Sequence, residues 1–192
     1  MRDSDIRSAL TLAVARSMGE QRHVLVPEVD IRWSVPARMD AMLVSDRLCA
    51  FEIKSDVDSL SRLPRQVQAY GMVAERATLV VGERHLAGAS QLVPPWWGIW
   101  VARWRDGQVV LTSRRVGRLN REVNPLAVAS FLDRRALLAA LRGSGTPRLA
   151  SLSVDDLRQL LIAEMGSSKT LRLARQTLLE RTDWRGRSLT AA

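Results

Sequence analysis

The chain has 192 residues, of which 46% are hydrophobic and 26% are charged, and it carries one cysteine. That length and apolar content suffice for one ordinary domain with a real core, and a single cysteine excludes an internal disulfide and a cysteine-rich zinc site. No segment approaches the roughly 18 to 20 apolar residues that cross a bilayer, and residues 1–22 are interrupted by charge, so we expect a cytoplasmic protein without a membrane segment.

The net charge of +9 is unevenly distributed along the chain. Residues 1–100 hold 12 basic and 12 acidic side chains, whereas residues 101–192 hold 17 basic and eight acidic ones. A cationic surface attracts polyanions, so this pattern favours a nucleic-acid partner. An arginine-rich composition without any ligand is the alternative interpretation.

A helix and three strands are predicted first. Apolar residues at helical spacing from Ile6 onward predict an amphipathic helix that ends near Gly19. The β-branched segment 23–33 follows, and its proline, Pro27, indicates an edge strand or a bulged one. Two further strands are predicted, at 37–44 and 48–54.

The loop between these last two strands decides which side chains oppose one another. Ser45-Asp46-Arg47 lacks glycine, which favours a three-residue loop over a two-residue primed turn. Such a loop pairs Val44 with Leu48 and, in the same register, brings Asp40 opposite Glu52. Opposed carboxylates repel each other unless a cation lies between them, so this register favours a bound metal ion.

The apolar third strand carries two charges on one face, Glu52 and Lys54. A buried charge is costly unless it has a partner. The lysine is informative in itself, because only Lys54 and Lys169 are lysines whereas 27 residues are arginines. An ammonium group is a compact donor whose pKa responds to burial, so a lysine here indicates a role that arginine cannot fill.

A second helix and a fourth strand come next. Pro64 is compatible with the first turn of a helix over about 61–76, which places Gln66 and Tyr70 on one face. The apolar segment 77–82 predicts a buried strand. A strand, helix, strand step of this length implies a parallel crossover.

A tryptophan-rich hairpin is predicted beyond this strand. Its turn signal is Asp106-Gly107, and segment 108–113 forms the return strand. Its aromatic residues are Trp96, Trp97, Trp100 and Trp104. Tryptophans in such a hairpin could stack on bases, but packing onto the sheet is the favoured interpretation.

The remaining chain is predicted to be helical. Helices are expected from Asn124 to Leu141, from the capping pair Ser153 and Asp156 to Gly166, and from about 168 to 181, with a linker at 143–147. The pair joined at Gly166 could be a helix-turn-helix that offers Lys169, Arg172 and Arg175 to phosphates. A simple helical hairpin with solvated arginines is the favoured interpretation.

The order helix, three strands, helix, strand resembles the catalytic core of the PD-(D/E)XK nuclease superfamily. The motifs that carry this resemblance are Arg38-Met39-Asp40, Phe51-Glu52-Ile53-Lys54 and, for the RecB-like branch, Gln66-x-x-x-Tyr70, all within residues 5–82. The usual proline before the aspartate is replaced by Met39. These segments also resemble a small, poorly characterised group of bacterial proteins in that superfamily.

The resemblance implies an α/β fold with two parts. The first, residues 1–115, would be a restriction-endonuclease-like αβββαβ core with a mixed central sheet, followed by the tryptophan-rich hairpin. The second, residues 120–192, would be a basic C-terminal helical extension. The implied activity is hydrolysis of phosphodiester bonds, preferably in DNA, with Mg²⁺ or Mn²⁺ as the cofactor.

The resemblance also implies roles for individual residues. Asp40, Glu52 and the carbonyl of Ile53 would hold the metal, Lys54 would position or deprotonate the attacking water, and Gln66 or Tyr70 would hold the substrate backbone. The expected nucleic-acid contacts are Arg38, Arg62, Arg65, Lys169, Arg172 and Arg175. Some relatives add a glutamate from the first helix, for which Glu20 is the candidate, although its place after Gly19 argues against it.

Three alternatives stay open at this point. A nuclease fold without activity could serve as a nucleic-acid-binding or adaptor subunit. The tryptophan hairpin could bind a protein partner or a second copy of the chain. The trio Asp40, Glu52 and Lys54 could form only a salt-bridge cluster that borders the sheet. The presence of all three residues favours the nuclease.

Overall fold

The computed structural model describes residues 1–182 and Trp184, which form a six-stranded sheet with helices on both faces. The strands are β1 (Val24–Ile31), β2 (Ala37–Val44), β3 (Leu48–Lys54), β4 (Arg76–Gly82), β5 (Gly98–Arg105) and β6 (Gln108–Arg115). The helices are α1 (Asp3–Met18), α2 (Leu63–Val73), α3 (Leu86–Leu92), α4 (Pro125–Ala129), α5 (Arg134–Ala140) and α6 (Val154–Glu180). No helix in this part of the chain is both long enough and apolar enough to span a bilayer.

The sheet is mixed, and its strands lie side by side in chain order. The pairs β1–β2, β2–β3 and β5–β6 are antiparallel, whereas β3–β4 and β4–β5 are parallel. The α/β class with a mixed sheet is therefore confirmed, as is the predicted parallel crossover through α2. The carboxyl ends of β3, β4 and β5 consequently lie at the same edge of the sheet.

Hydrophobic clusters cover both faces of this sheet. On one face, Ile6, Leu10 and Val14 of α1 pack against strand residues that include Phe51 and Val80. On the other face, one cluster joins strand side chains to α2 and to the C-terminal helices: Val44, Leu79, Tyr70, Val128, Leu137, Leu157 and Leu178. Burial on both sides explains why β4 contains three consecutive apolar residues, Leu79, Val80 and Val81.

The C-terminal helices share this second cluster with the sheet, and α6 packs directly on β2. The division into residues 1–115 and 120–192 stays a prediction, and residues 183 and 185–192 of the second part lie outside the described residues. The predicted break at Gly166 is present, because α6 leaves helical geometry there at φ 73° and ψ 166°. The capping box of Ser153 and Asp156 is confirmed at its start.

Two predictions of secondary structure were wrong. The single helix expected over 124–141 is divided into α4 and α5, because the Asp133 side chain accepts a hydrogen bond from the Ala136 amide and begins a new helix. The short helix α3 between β4 and β5 was not anticipated. It provides the crossover that makes β5 parallel to β4, so the tryptophan hairpin continues the main sheet.

The hairpin turn itself agrees with the prediction. Asp106 and Gly107 have φ values of 48° and 77°. Two consecutive positive φ values are typical of the tight primed turn that Asp-Gly favours.

An irregularity in β1 and β2 lies beside the predicted site. The β1–β2 ladder passes from Pro27–Ala41 to Val29–Met39, which omits Glu28 and Asp40, and Glu28 has a φ of 54°. Across this point the residues facing the α2 side change from even to odd numbers: Val24, Val26 and Met42, then Val29, Ile31 and Met39. Bulge-like irregularities of this kind redirect a side chain and free its backbone from the ladder.

The predicted pairing of Val44 with Leu48 is confirmed, but the ladder between β2 and β3 does not extend to Asp40 and Glu52. Val44 pairs with Leu48, and the ladder continues to Ala41 and Phe51, one step before Asp40 and Glu52. Pro27 lies on the edge strand β1, as its missing N–H requires. The strands therefore begin to separate at the position where the carboxylates lie.

Candidate active site

Asp40 is held by contacts that replace the missing strand pairing. Its Oδ2 accepts a hydrogen bond from the Ile53 amide at 2.8 Å. The Arg7 guanidinium of α1 donates to the Asp40 carbonyl at 2.8 Å and to Oδ1 at 3.1 Å. Backbone and side chain are thus fixed together, so the carboxylate has a defined orientation at the end of β2.

Glu52 and Lys54 form a buried pair on β3. The Lys54 Nζ donates to Glu52 Oε1 at 2.6 Å and to Gln66 Oε1 of α2 at 3.0 Å. Glu52 is 0% exposed and Lys54 is 3% exposed. The Tyr70 hydroxyl donates to Glu52 Oε2 and lies 3.2 Å from the Arg38 carbonyl. The ammonium group is therefore anchored between a carboxylate and an amide oxygen.

The two carboxylates lie close enough to influence one another. Burial raises the pKa of Glu52 to about 7, and the negative charge of Asp40 contributes further to this rise, while Lys54 opposes it. Burial also raises the pKa of Asp40, opposed by the Ile53 amide and by Arg7. The pKa of Tyr70 is well above its usual value because of burial and the Glu52 charge, so its hydroxyl remains a donor.

These groups open into a cleft of about 450 Å³ at the carboxyl end of β3. Asp40, Glu52, Ile53, Lys54 and Gln66 line it, as the sequence predicted, together with Arg38, Arg62 and Arg65. The three arginines are exposed at its border. Tyr70 is fully buried behind Glu52 and is absent from the lining, so it supports the carboxylate from behind.

The remaining predicted nucleic-acid contacts lie elsewhere. Lys169 and Arg172 are exposed on α6, and neither lines the cleft. Arg175 donates to the Asp46 carbonyl and to the Glu75 carboxylate, at 3.2 Å from Oε1. Glu75 also accepts from the Leu48 amide at 2.9 Å, which places this cluster at the amino end of β3. Arg175 thus fastens α6 to the sheet at the end opposite the cleft.

The glutamate considered for a third carboxylate is also distant. Glu20 is exposed beyond the carboxyl end of α1, whereas Asp3 and Arg7 of its first two turns line the cleft. Arg7 and Met18, the last residue of α1, are eleven residues apart, which corresponds to about 17 Å at 1.5 Å per residue. Glu20 therefore does not join the site.

Arg7 is the site residue that sequence reasoning missed. The helical pattern only indicated that Arg7 lies off the apolar face of α1. A usable signal existed, because Asp3 precedes Arg7 by one helical turn and pairs with it in the structure. The contact with Asp40 spans 33 positions and could not be read from local spacing.

The donor set can be tested for its fit to a metal ion. No group of three or more His, Cys, Asp or Glu side chains suited to a metal occurs among residues 1–182 and 184. Two carboxylates and the Ile53 carbonyl do line the cleft, and Mg²⁺ commonly uses one or two carboxylates while keeping several waters. Burial and, after it, the charge of Asp40 raise the pKa of Glu52, and a dication would relieve the repulsion between the two carboxylates. These residues fit a hard divalent cation.

Comparison with known proteins identifies the family of this chain. The family described as Bacteriophage P4 protein cII matches residues 2–185. A curated relative, protein cII of Enterobacteria phage P4, is 26% identical over 161 residues, or 83% of this chain, and the chain spans 60% of that relative's length. A solved structure, the SPO1766 protein of unknown function from Silicibacter pomeroyi, shows 18% identity and a TM-score of 0.42 with 90% of each chain covered. None of these descriptions states an activity, so the chemistry must be argued from the cleft.

Proposed function

The chain belongs to the Bacteriophage P4 protein cII family, and we propose that it is a metal-dependent nuclease that hydrolyses phosphodiester bonds, preferably in DNA. We propose further that α1, β1, β2, β3, α2 and β4 form a restriction-endonuclease-like core. The order of these elements and the motifs on β2, β3 and α2 support this proposal.

One observation supports the nuclease proposal most directly. Asp40, Glu52 and Lys54 line the same cleft, which is bordered by arginines. Lys54 pairs with Glu52 and Arg7 pairs with Asp40. Even so, burial and, after it, the charge of Asp40 raise the pKa of Glu52 to about 7. Burying two neighbouring acids costs stability even when each has a basic partner. Such an arrangement is typical of a site built for chemistry.

The metal ligands would be Asp40, Glu52 and the Ile53 carbonyl, consistent with the donor set in the cleft. Bound there, Mg²⁺ or Mn²⁺ would supply Lewis-acid chemistry, by neutralising phosphate charge and acidifying a water molecule. Tyr70 and Lys54 each occupy one acceptor position on Glu52. The Ile53 amide and Arg7 each occupy one on Asp40. A carboxylate has about four acceptor positions, so both keep free lone pairs for the cation.

Lys54 would act on the nucleophile and the scissile phosphate. Its ammonium group is fixed by Glu52 and Gln66, so little side-chain freedom remains to be lost when substrate binds. From this position it can orient a water molecule and stabilise the negative charge that develops on the phosphate. Arg38, Arg62 and Arg65 would neutralise neighbouring phosphates along the backbone.

The experiment is a cleavage assay with Mg²⁺ or Mn²⁺ on plasmid, linear duplex and single-stranded DNA. We expect Lys54→Ala to lower the cleavage rate by about 100-fold or more. Lys169→Ala is the matched control, because Lys169 is the other lysine of the chain and lies outside the cleft. Equal activity of Lys54→Ala and the wild type would contradict the proposal.

The same experiment also tests the adaptor hypothesis, in which the protein binds nucleic acid without cutting it. In the absence of metal each oxygen of Asp40 and Glu52 already has a hydrogen-bond partner, which is the observation that favours a purely structural cluster. Folded wild-type protein that binds DNA with a steep salt dependence but cuts no form of it would favour an adaptor.

A further inference from the structure

The outer strand of the tryptophan hairpin, β6, forms one edge of the sheet, and its sequence does not protect this edge against further pairing. Its regular part, residues 108–113, contains no proline, no glycine and no charged side chain. In contrast, β1 at the other edge carries Pro27 and the irregularity at Glu28, which both hinder the addition of a strand. A long, uncharged and regular edge strand is a template for pairing with another chain.

The backbone groups of β6 that face outward follow from its register. The two-residue turn of the hairpin is closed by the pair Arg105–Gln108. From such a closing pair onward every second pair exchanges hydrogen bonds, so the even-numbered residues of β6 direct their N–H and C=O groups to β5. Val109 and Leu111 direct theirs to the free edge, and among residues 1–182 and 184 these groups bind no other backbone segment.

The tryptophans of this hairpin differ in their exposure. Trp97 is fully buried and stacks on Tyr70 with ring centroids 5.6 Å apart, and Trp100 packs against Phe51. Both have the expected packing role. Trp104, near the turn, is 58% exposed. The hairpin therefore presents one large apolar ring to solvent close to its free edge.

The apolar side chains beside this edge lie on one face of the sheet. Val109 and Leu111 are partly buried members of the cluster that α1 forms with the sheet. Leu111 pairs with Ala102 of the same cluster, and Trp104 pairs with Val109, so the Trp104 ring is on this face as well. An apolar strip thus extends along β6 and is only partly covered.

A second copy of the chain complements this edge. A two-fold axis perpendicular to the sheet pairs two β6 strands antiparallel and keeps the α1 faces of both copies on the same side. With Val110 on the axis, Val109 of each copy lies opposite Leu111 of the other, so both opposed pairs are apolar. Each pair exchanges two hydrogen bonds through the groups that face outward, which makes four across the contact.

The charges at the two ends of β6 fit the same register. Arg114 and Asp106 are exposed, and neither takes part in an ion pair within the described part of the chain. Both lie four residues from Val110, so Arg114 of one copy is level with Asp106 of the other. Opposite charges at this spacing attract each other. An axis at Leu111 would instead bring Arg114 level with the neutral Gln108.

We propose that β6 is a homodimer interface, at which two copies of the chain join their six-stranded sheets into one continuous sheet by antiparallel pairing of β6 with β6. The exposed Trp104 ring becomes part of an apolar strip that crosses the interface. This inference does not depend on the proposed nuclease function. The axis reverses the strand direction, so the two clefts lie at opposite edges of the combined sheet.

The test measures the mass of the whole chain in solution by sedimentation equilibrium. Val110 belongs to neither hydrophobic cluster, so its replacement leaves the core unchanged. Val110→Lys and Val110→Glu each place two like charges opposite one another on the axis, and we expect each to raise the dimer dissociation constant by about tenfold or more. Val110→Thr is the control, because a neutral β-branched side chain should retain the dimer. Circular dichroism verifies that each variant is folded.

A mixture of Val110→Lys and Val110→Glu tests the position of the axis. Each lysine then lies opposite a glutamate, so the mixture should form the dimer that neither variant forms alone at the same concentration. A wild type that stays monomeric up to about 100 μM would reject the proposal and leave the edge to a strand of another protein. Dimers that persist in both charged variants would also reject it, as would folded variants that stay monomeric when mixed.

Discussion

Glu52 and Glu75 are both buried glutamates with basic partners, yet their surroundings at the two ends of β3 differ. Glu75 pairs with Arg175 and Arg47 and accepts a hydrogen bond from the Leu48 amide, and each of these three partners is a donor. Glu52 pairs with Lys54 but also lies near a second acid, Asp40, and opens into a cleft. The first arrangement stabilises the fold, and the second retains repulsion that a bound cation would remove.

The largest effect on the cleavage rate is expected from removing the Asp40 carboxylate. Asp40→Asn should lower the cleavage rate by about 1,000-fold, because a metal ligand is lost while the amide oxygen can still accept the Ile53 N–H. The measurement is single-turnover cleavage with Mn²⁺. Glu20→Gln is the control and should retain wild-type activity. A fully active Asp40→Asn protein would contradict the proposed difference between Glu52, as part of an active site, and Glu75, as part of a structural cluster.

A pH effect of intermediate size is expected for Glu52. Its pKa is raised to about 7 in the folded protein from an ordinary 4.5, so the folded state binds this proton more tightly than the unfolded state does. The associated stability is fully present below pH 4.5 and is lost as the pH rises from there through about 7, by about 3 kcal/mol.

Chemical unfolding in EDTA at pH 5 and pH 8 measures this effect. Other groups titrate in the same interval, so the informative quantity is the difference between the wild type and Glu52→Gln. We expect the variant to lose less stability than the wild type between the two pH values. An identical pH dependence of the unfolding free energy in both proteins would show that the pKa of Glu52 is not raised in the folded state.

A smaller, purely structural effect is expected at the other end of β3. Arg175→Met removes a partner of a buried carboxylate and should lower the free energy of unfolding by about 2 kcal/mol, because Arg47 and the Leu48 amide still contact Glu75. Urea unfolding measures this change. The cleavage rate per folded molecule should remain that of the wild type, and a selective loss of activity would instead place Arg175 in the function.

The chemistry of the cleft could be predicted from the sequence because it is encoded in local spacing. Glu52 and Lys54 are two residues apart on one strand, and the loop length sets the Val44–Leu48 register that carries Asp40 to the same end. Gln66 and Tyr70 follow from helical periodicity. Each of these inferences needs only the geometry of one element or one connection.

Contacts between distant segments were beyond this reasoning. Arg7 reaches Asp40 across 33 positions, and Arg175 reaches Glu75 across 100. In both cases an arginine that sequence patterns treat as solvated binds a particular acid. The division between α4 and α5 was missed for a local reason, because the helical pattern was followed past the Asp133 cap.

The most direct test of the central claim is anomalous diffraction from crystals soaked in Mn²⁺. The account predicts a peak in contact with the carboxylates of Asp40 and Glu52 and the Ile53 carbonyl, and no peak there in Asp40→Asn crystals. Wild-type crystals without density at this position, in which Asp40 and Glu52 keep only their contacts to Arg7, Ile53, Lys54 and Tyr70, would contradict it.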